Sequence, residues 1–257
     1  MDELMKPLSW YKSLSLPKNR RQYGYFLIEG KRAVDQVLTF HRDSVEEILC
    51  TDGALPSIPL SNDVPVRTLP DVNIKSICAS KTPQGIAALV RIPADVYTSK
   101  IPERPSLNNS VLLLEHIQDP GNAGTLIRTA AAFGVGGVIL SDQCADPFSP
   151  KAVQSTAGSL LSVWIRKTDR YMPMIDELKD SGYKLIAADL DGSESHGFIN
   201  GIGKHILALG SEGPGLTAGM LDRCDYSIRI PIAESGAESL NVASSGAICM
   251  FMLRRSR

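Results

Sequence analysis

The sequence contains no CxxC pair. Its five cysteines, Cys50, Cys78, Cys144, Cys224 and Cys249, are odd in number and widely spaced, without a neighbouring histidine to complete a ligand set. That pattern excludes a zinc finger or a disulfide framework and fits small core thiols in a reducing compartment, the cytoplasm. No metal is expected. No apolar run is long enough to cross a membrane. Met1 to Tyr11 interleaves Asp2, Glu3 and Lys6 with Pro7, so no signal peptide is expected. A strong excess of one charge is also missing: 27 Lys+Arg oppose 28 Asp+Glu. The four histidines, His41, His116, His196 and His205, lie scattered without ligand spacing and receive no role.

What is present is an ordinary globular composition. The chain has 257 residues, 43% apolar and 21% charged, which suits one large domain or two modest ones and argues against long disorder. The charge is unevenly spread. Residues 1–107 carry 14 Lys+Arg against 12 Asp+Glu, and the first 42 residues carry 8 against 4. A local phosphate-binding surface is therefore permitted at the front of the chain, with Lys18, Arg20, Arg21, Lys31 and Arg32 as candidate RNA contacts. Beside that run, Tyr23, Tyr25 and Phe26 are candidates for stacking on unpaired bases, or alternatively core aromatics.

A proline-studded polar stretch, Arg91 to Asn109, reads as a linker between a domain at 1–100 and a second at 108–257. Before it, Ala33, Val34, Val37 and Leu38 share one helical face, and Ile86 to Val90 predicts a strand: a small α/β unit. After it, strands at Val111–Glu115, Val138–Leu140, Val163–Arg166, Lys184–Ala188, His205–Leu209 and Ser227–Pro231 alternate with helices. The helices are expected at Ala123–Phe133, Pro150–Leu161, Tyr171–Asp180, Thr217–Arg223 and Leu240–Arg254. Apolar strands alternating with helices predict a mostly parallel sheet covered on both faces, with ligands beyond the carboxyl ends of the strands.

Three loops sit at such ends. Gln118-Asp119-Pro120-Gly121-Asn122-Ala123-Gly124 is a tight turn into a helix that carries Arg128, and Asn122 alone reads as a helix cap. Gly210-Ser211-Glu212-Gly213-Pro214-Gly215-Leu216 follows an apolar strand. Its glycines permit close backbone approach to a ligand, but the spacing matches neither the dinucleotide fingerprint nor a phosphate-binding P-loop. Ile230-Pro231 through Ser239-Leu240-Asn241-Val242 leads into the last helix, with Ser239 as the expected N-cap and Asn241 in the first turn.

In chain order these segments resemble the three motifs of the SpoU-type, or TrmH, RNA ribose methyltransferases of the SPOUT superfamily. Asn122, Gly124 and Arg128 stand in the first, Gly210-Ser211-Glu212-Gly213 and Gly215-Leu216 in the second, Ile230-Pro231 and Ser239-Leu240-Asn241-Val242 in the third. Phe26 to Val34 and Lys81 to Ile86 are similar, more weakly, to the substrate-binding domain of ribosomal RNA members. The resemblance implies a C-terminal trefoil knot and transfer of a methyl group from S-adenosylmethionine to a ribose 2′-hydroxyl. It also implies an RNA partner, most readily ribosomal RNA, and a homodimer built around the last helix. It assigns Arg128, Asn122, Glu212, Ser239 and Asn241 to catalysis, and groups around Leu209, Gly210, Ile230 and Leu240 to the cofactor. The loop Pro231–Ser239 is about one residue longer than in many relatives, and Ala243-Ser244-Ser245 stands where Val and Ala are common.

Arg128 is open to two roles. As a base it conflicts with the near-permanent protonation of arginine; as a cation it fixes a phosphate and stabilises the emerging alkoxide. Three other readings stand beside the main one: a tRNA ribose methyltransferase, a non-catalytic RNA-binding or assembly factor on the same fold, and a nucleotide-dependent oxidoreductase. The last is disfavoured by the glycine spacing and by the late place of the loop.

Overall fold

Apolar runs of five or six residues, bounded by turn residues, supply the strands of two separate sheets. The computed structural model describes residues 6–57, 64–103, 109–193, 197, 201–233 and 238–254. Pro105, His196 and the stretch 234–237 of the lengthened loop lie outside the described residues. The chain forms two compact units, one from residues 1–94 with 146–162 and one from 95–145 with 163–257.

The first unit carries a four-stranded sheet. Strands β1 (Tyr25–Glu29), β2 (Val45–Cys50), β3 (Val66–Thr68) and β4 (Ile86–Arg91) lie in the order β1-β4-β2-β3, antiparallel except for β2 with β3. Period-two alternation divides its faces. Leu49 and Leu89 pack under Tyr11 and Leu14, at α1 (Leu8–Ser13), and under Ile74 and Ile77 of α4 (Asp71–Ile77). On the other face Phe26 meets Phe148 edge-on at 5.0 Å, just before α6 (Pro150–Thr156). Gly158 has no room for a side chain there: a Cβ would sit 2.8 Å from Ala33 O in α3 (Lys31–Phe40). The apolar face of α3 is the expected one, with Val34, Val37 and Leu38 buried.

One sequence expectation fails in this unit and one open alternative is decided. Arg20, expected to contact phosphate, lies in α2 (Pro17–Tyr23) and is 1% exposed. Its guanidinium donates to Leu14 O and Ser15 O and pairs with Asp146 at 2.5 Å, so it ties the 146–162 segment to the rest of the unit. Phe26, open between base stacking and the core, is fully buried and takes the second place. Lys18, Arg21, Lys31 and Arg32 are exposed. Helical periodicity explains the split, because Arg20 is turned far from Lys18 and Arg21.

The second unit holds a six-stranded, wholly parallel sheet. Its strands are β5 (Ser110–Leu114), β6 (Gly137–Ser141), β7 (Trp164–Thr168), β8 (Lys184–Ser193), β9 (His205–Leu209) and β10 (Tyr226–Ile228), in the order β10-β8-β9-β5-β6-β7. Val111 and Leu113 of β5, with Ile206 and Ala208 of β9, face α7 (Tyr171–Asp180) through Met174, Ile175 and Leu178. The alternate residues face α5 (Pro120–Phe133) and α9 (Val242–Arg254), which pack against each other. Gly246 makes that packing possible: a Cβ there would lie 2.4 Å from Leu126 Cδ2 and 2.7 Å from Leu209 Cδ1. Full burial of each such leucine contributes roughly 1.5–3 kcal/mol.

Strand β8 runs five residues beyond the expected Ala188, its outer half reaching Ile228 through a register shift. Among the described residues no helix is long and apolar enough to cross a membrane, and no cluster of three potential metal ligands occurs.

Two outcomes follow. Arg20→Ala removes the buried guanidinium with its bonds to Leu14 O, Ser15 O and Asp146 and lowers unfolding free energy by about 3–5 kcal/mol, whereas Lys18→Ala stays within about 0.5 kcal/mol; equal urea midpoints for the two variants contradict the structural role of Arg20. All five thiols are free, and burial raises every one of their pKa values, to about 11 at Cys224 and about 12 at Cys78 and Cys249. The native protein at pH 8 therefore alkylates far more slowly than free cysteine, and all five sites open together on unfolding. One thiol reacting at the free rate in native protein contradicts this.

Candidate functional site

Because every strand of the second sheet is parallel, the ends of β5, β9 and β10 share one edge. Register aligns Leu114 with Leu209, so the chain leaves the two central strands side by side. After β5 it turns sharply at His116, a non-glycine residue at φ +60°. The turn is held from the neighbouring strand end: His116 N donates to Ser141 Oγ (3.0 Å) and Ile117 N to Cys144 Sγ (3.3 Å). Lys167 Nζ, itself buried, donates to the carbonyls of Ser141, Asp142 and Cys144 at 3.1, 2.5 and 2.5 Å and closes that second loop. An exposed cation elsewhere would be solvated; this one acts as an internal tie.

Helix α5 then starts with Asp119 as its cap, whose side chain accepts from Asn122 N at 2.9 Å, and Pro120 fits the first helical position. Asn122 is thus not the cap that sequence alone suggests, and its side chain is released for another contact. Helix α9 starts at Val242 rather than Leu240. Asn241, not Ser239, caps it: Asn241 Oδ1 accepts from Ala243 N at 2.9 Å.

These assignments fix the amide orientations. With Oδ1 of Asn241 engaged at the helix end, its Nδ2 donates to Asn122 Oδ1 (3.1 Å) and to Glu212 Oε1 (2.9 Å). Asn122 Nδ2 donates to the same Glu212 oxygen at 2.8 Å. Three residues separated by up to 119 positions form one closed network around a single carboxylate oxygen. Glu212 Oε2 has no hydrogen-bond partner among the described residues.

Glu212 sits in a loop that folds back on itself. Ser211 and Gly215 exchange both backbone hydrogen bonds, at 3.2 and 3.1 Å, and Gly213 and Gly215 take φ values of +100° and +70°. At Gly210 a Cβ would lie 2.1 Å from Gly215 C, so only glycine permits this closure. Apart from the side chains of Ser211, Glu212 and Pro214, the loop presents backbone amides and carbonyls at its three glycines.

The remaining expected site residues fall on this edge by chain position. Leu209 is buried at the end of β9; Ile230 and Leu240 are half-buried; Ser239 is exposed and outside the network. Arg128 is exposed on α5 and makes no hydrogen bond or ion pair among the described residues. Sequence reasoning overlooked Glu115, which is completely buried just past β5 and accepts hydrogen bonds from Tyr171 and Thr217. An acidic residue closing an apolar run usually marks a strand reaching solvent, so no linear signal singles it out.

The chain matches the model of the SpoU rRNA Methylase family over residues 109–251 and that of the MRM3-like substrate binding domain over residues 10–88. It is 34% identical over 245 residues, 95% of this chain and 94% of the relative, to the 23S rRNA (guanosine(2553)-2′-O)-methyltransferase RlmP of Bacillus subtilis (strain 168). A solved structure of a TrmH-family protein from Porphyromonas gingivalis superposes with a TM-score of 0.84 at 32% identity, covering 98% of this chain and 100% of that one. An AdoMet-bound rRNA methyltransferase from Sinorhizobium meliloti superposes at 0.78 with 25% identity, covering 99% and 97%. Matched in its catalytic model, in a relative along nearly its whole length and in its fold, this chain belongs to the SpoU rRNA methylase family.

Proposed function

We propose that this protein transfers a methyl group from S-adenosylmethionine to a ribose 2′-hydroxyl of RNA, with ribosomal RNA as the substrate. The observation that carries the reading is the Asn122–Glu212–Asn241 network, which joins three loops at the carboxyl edge of a parallel sheet beside a glycine-lined turn. Neutral backbone groups at Leu209 and Gly210, with apolar Ile230 and Leu240 as the other expected pocket residues, suit an adenosine. The deep knot of the SPOUT fold belongs to the same reading.

S-adenosylmethionine, when bound, supplies a methyl carbon on a sulfonium open to in-line displacement. The residues of this chain do the rest. Glu212, one negative charge held by two neutral amides, complements a cation, and its uncommitted oxygen is available to a ribose hydroxyl or to Arg128. Asn122 and Asn241 keep that carboxylate in one orientation, and Ser239 borders the substrate side. Arg128, exposed and without a carboxylate partner among the described residues, acts as a cation: it holds the RNA phosphate and stabilises the alkoxide as the 2′-hydroxyl loses its proton. A guanidinium that remains protonated near neutral pH serves this role without the cost of acting as a base.

The first unit captures RNA through exposed Lys18, Arg21, Lys31 and Arg32. Substrate choice follows the name of the Bacillus relative, an enzyme of 23S rRNA. Five free thiols suit a reducing compartment, the cytoplasm. Ile248 and Phe251, one turn apart on α9 and 38% and 48% exposed, form the core of the proposed homodimer contact.

A transfer assay with methyl-labelled cofactor tests the reading. Label is expected in ribosomal RNA as alkali-resistant dinucleotides; label in transfer RNA alone redirects the substrate, and none in any RNA supports a non-catalytic factor. Arg128→Ala is expected to lower the rate by roughly 10²–10³ while cofactor affinity holds. A large loss of cofactor binding by the folded variant contradicts the assignment. Phe251→Asp is expected to halve the mass measured in solution; a wild-type monomer at micromolar concentration contradicts the dimer.

A further inference from the structure

Glu115 is the one completely buried acidic residue among the described residues, and no salt bridge to it occurs among them. It continues the alternation of β5, so that after Val111 and Leu113 the carboxylate points to the α7 side of the sheet. Its partners are three neutral donors. Tyr171 Oη donates to Oε1 at 2.8 Å, Thr217 Oγ1 to Oε1 at 2.9 Å and Thr217 N to Oε2 at 2.7 Å. Burial and this carboxylate raise the pKa of Tyr171, so the phenol stays a donor. Thr217 Oγ1 in turn accepts from Met220 N at 3.3 Å and caps α8 (Ala218–Leu221), which leaves its proton for Glu115.

A buried carboxylate without a cation is a poor source of stability, since an apolar side chain of similar volume often serves as well. What this one gains is geometry. The backbone N–H of Glu115 donates to Leu209 O at 2.9 Å, where the glycine loop begins. Its side chain holds Thr217, where the same loop ends. One residue therefore grips both ends of the seven-residue stretch 210–216, and four residues later its own chain becomes the Asp119 cap that positions Asn122. Closure of a seven-residue loop that contains three glycines needs such an anchor, because glycine loses more backbone freedom on ordering than any other residue.

We propose that Glu115 is a positioning residue that clasps the glycine loop in its ligand-ready form, with Thr217 and Tyr171 as its partners. This rests on the reading of that loop as the cofactor cradle. The donors are arranged for an acceptor with two oxygens: glutamine keeps the size but replaces one acceptor by an NH2 group facing an N–H or O–H, so one pairing is lost.

The experiment uses the full-length protein and S-adenosylhomocysteine as probe, with calorimetric Kd, single-turnover rate at saturating cofactor, and melting temperature measured together. For Glu115→Gln and Thr217→Val the Kd is expected to rise about tenfold or more, as for a lost hydrogen bond to a charged acceptor, while the saturated rate stays within a few-fold. Thr217→Ser, which keeps both donors, restores the wild-type Kd. A merely structural role gives a different pattern: lower melting temperature and a smaller active fraction with unchanged Kd, which overturns the proposal. Unchanged Kd in Thr217→Val also overturns it, and this milder variant decides the matter where Glu115→Gln does not fold. If the wild-type protein itself fails to bind the probe, the cradle reading falls, an outcome separate from failure of the clasp.

Discussion

A single carboxylate oxygen of Glu212, shared by the amides of Asn122 and Asn241, is the constraint on which the candidate site depends. Each amide comes from a helix start that is independently fixed, one by the Asp119 cap and one by the Asn241 cap itself. The helices in turn are held together by packing: Gly246 lets α9 approach Leu126 and Leu209 closely enough for Asn241 to reach Asn122. Sheet register, helix packing and two caps thus converge on three side chains. The network lies at the solvent-exposed rim of the sheet edge, so each bond contributes only about 0.5–1.5 kcal/mol and what the network supplies is orientation of the carboxylate.

The same logic extends beneath the site. Glu115 binds the far end of the glycine loop, Lys167 binds the loop after β6, and the strained turn at His116 lies between them. Backbone strain of this kind costs of order 1–3 kcal/mol and persists where surrounding contacts over-determine it. The hydrogen bonds from the N–H groups of His116 and Ile117 are those contacts here. Rigid supports under an edge of bare backbone match the general need of a ligand site for preorganisation.

Much of this was legible in the residues. Helix Tyr171–Asp180 and strand His205–Leu209 have the bounds that periodicity and apolar runs predict, because both are strongly patterned and flanked by turn residues. The parallel sheet followed from uninterrupted apolar strands, and the family from three ordered motifs. Local competition was harder to read. Ser239 and Asn241 are both good caps, and tertiary packing chose the second. Arg20 in a basic run looks solvated until helical geometry turns it toward Asp146, 126 residues away. Membership of residues 146–162 in the first unit depends on such distant partners, and Glu115 gives no sign in the linear sequence that its neighbours are all donors.

Hydrogen exchange with and without S-adenosylhomocysteine reports where the ligand orders the backbone, and so whether the edge around Glu212 is the cofactor cradle. Exchange is expected to slow in 209–217 and in the amides capped by Asn241, with the sheet of the first unit unchanged. Protection confined to the first unit, or to parts of the second unit away from these loops, would contradict it.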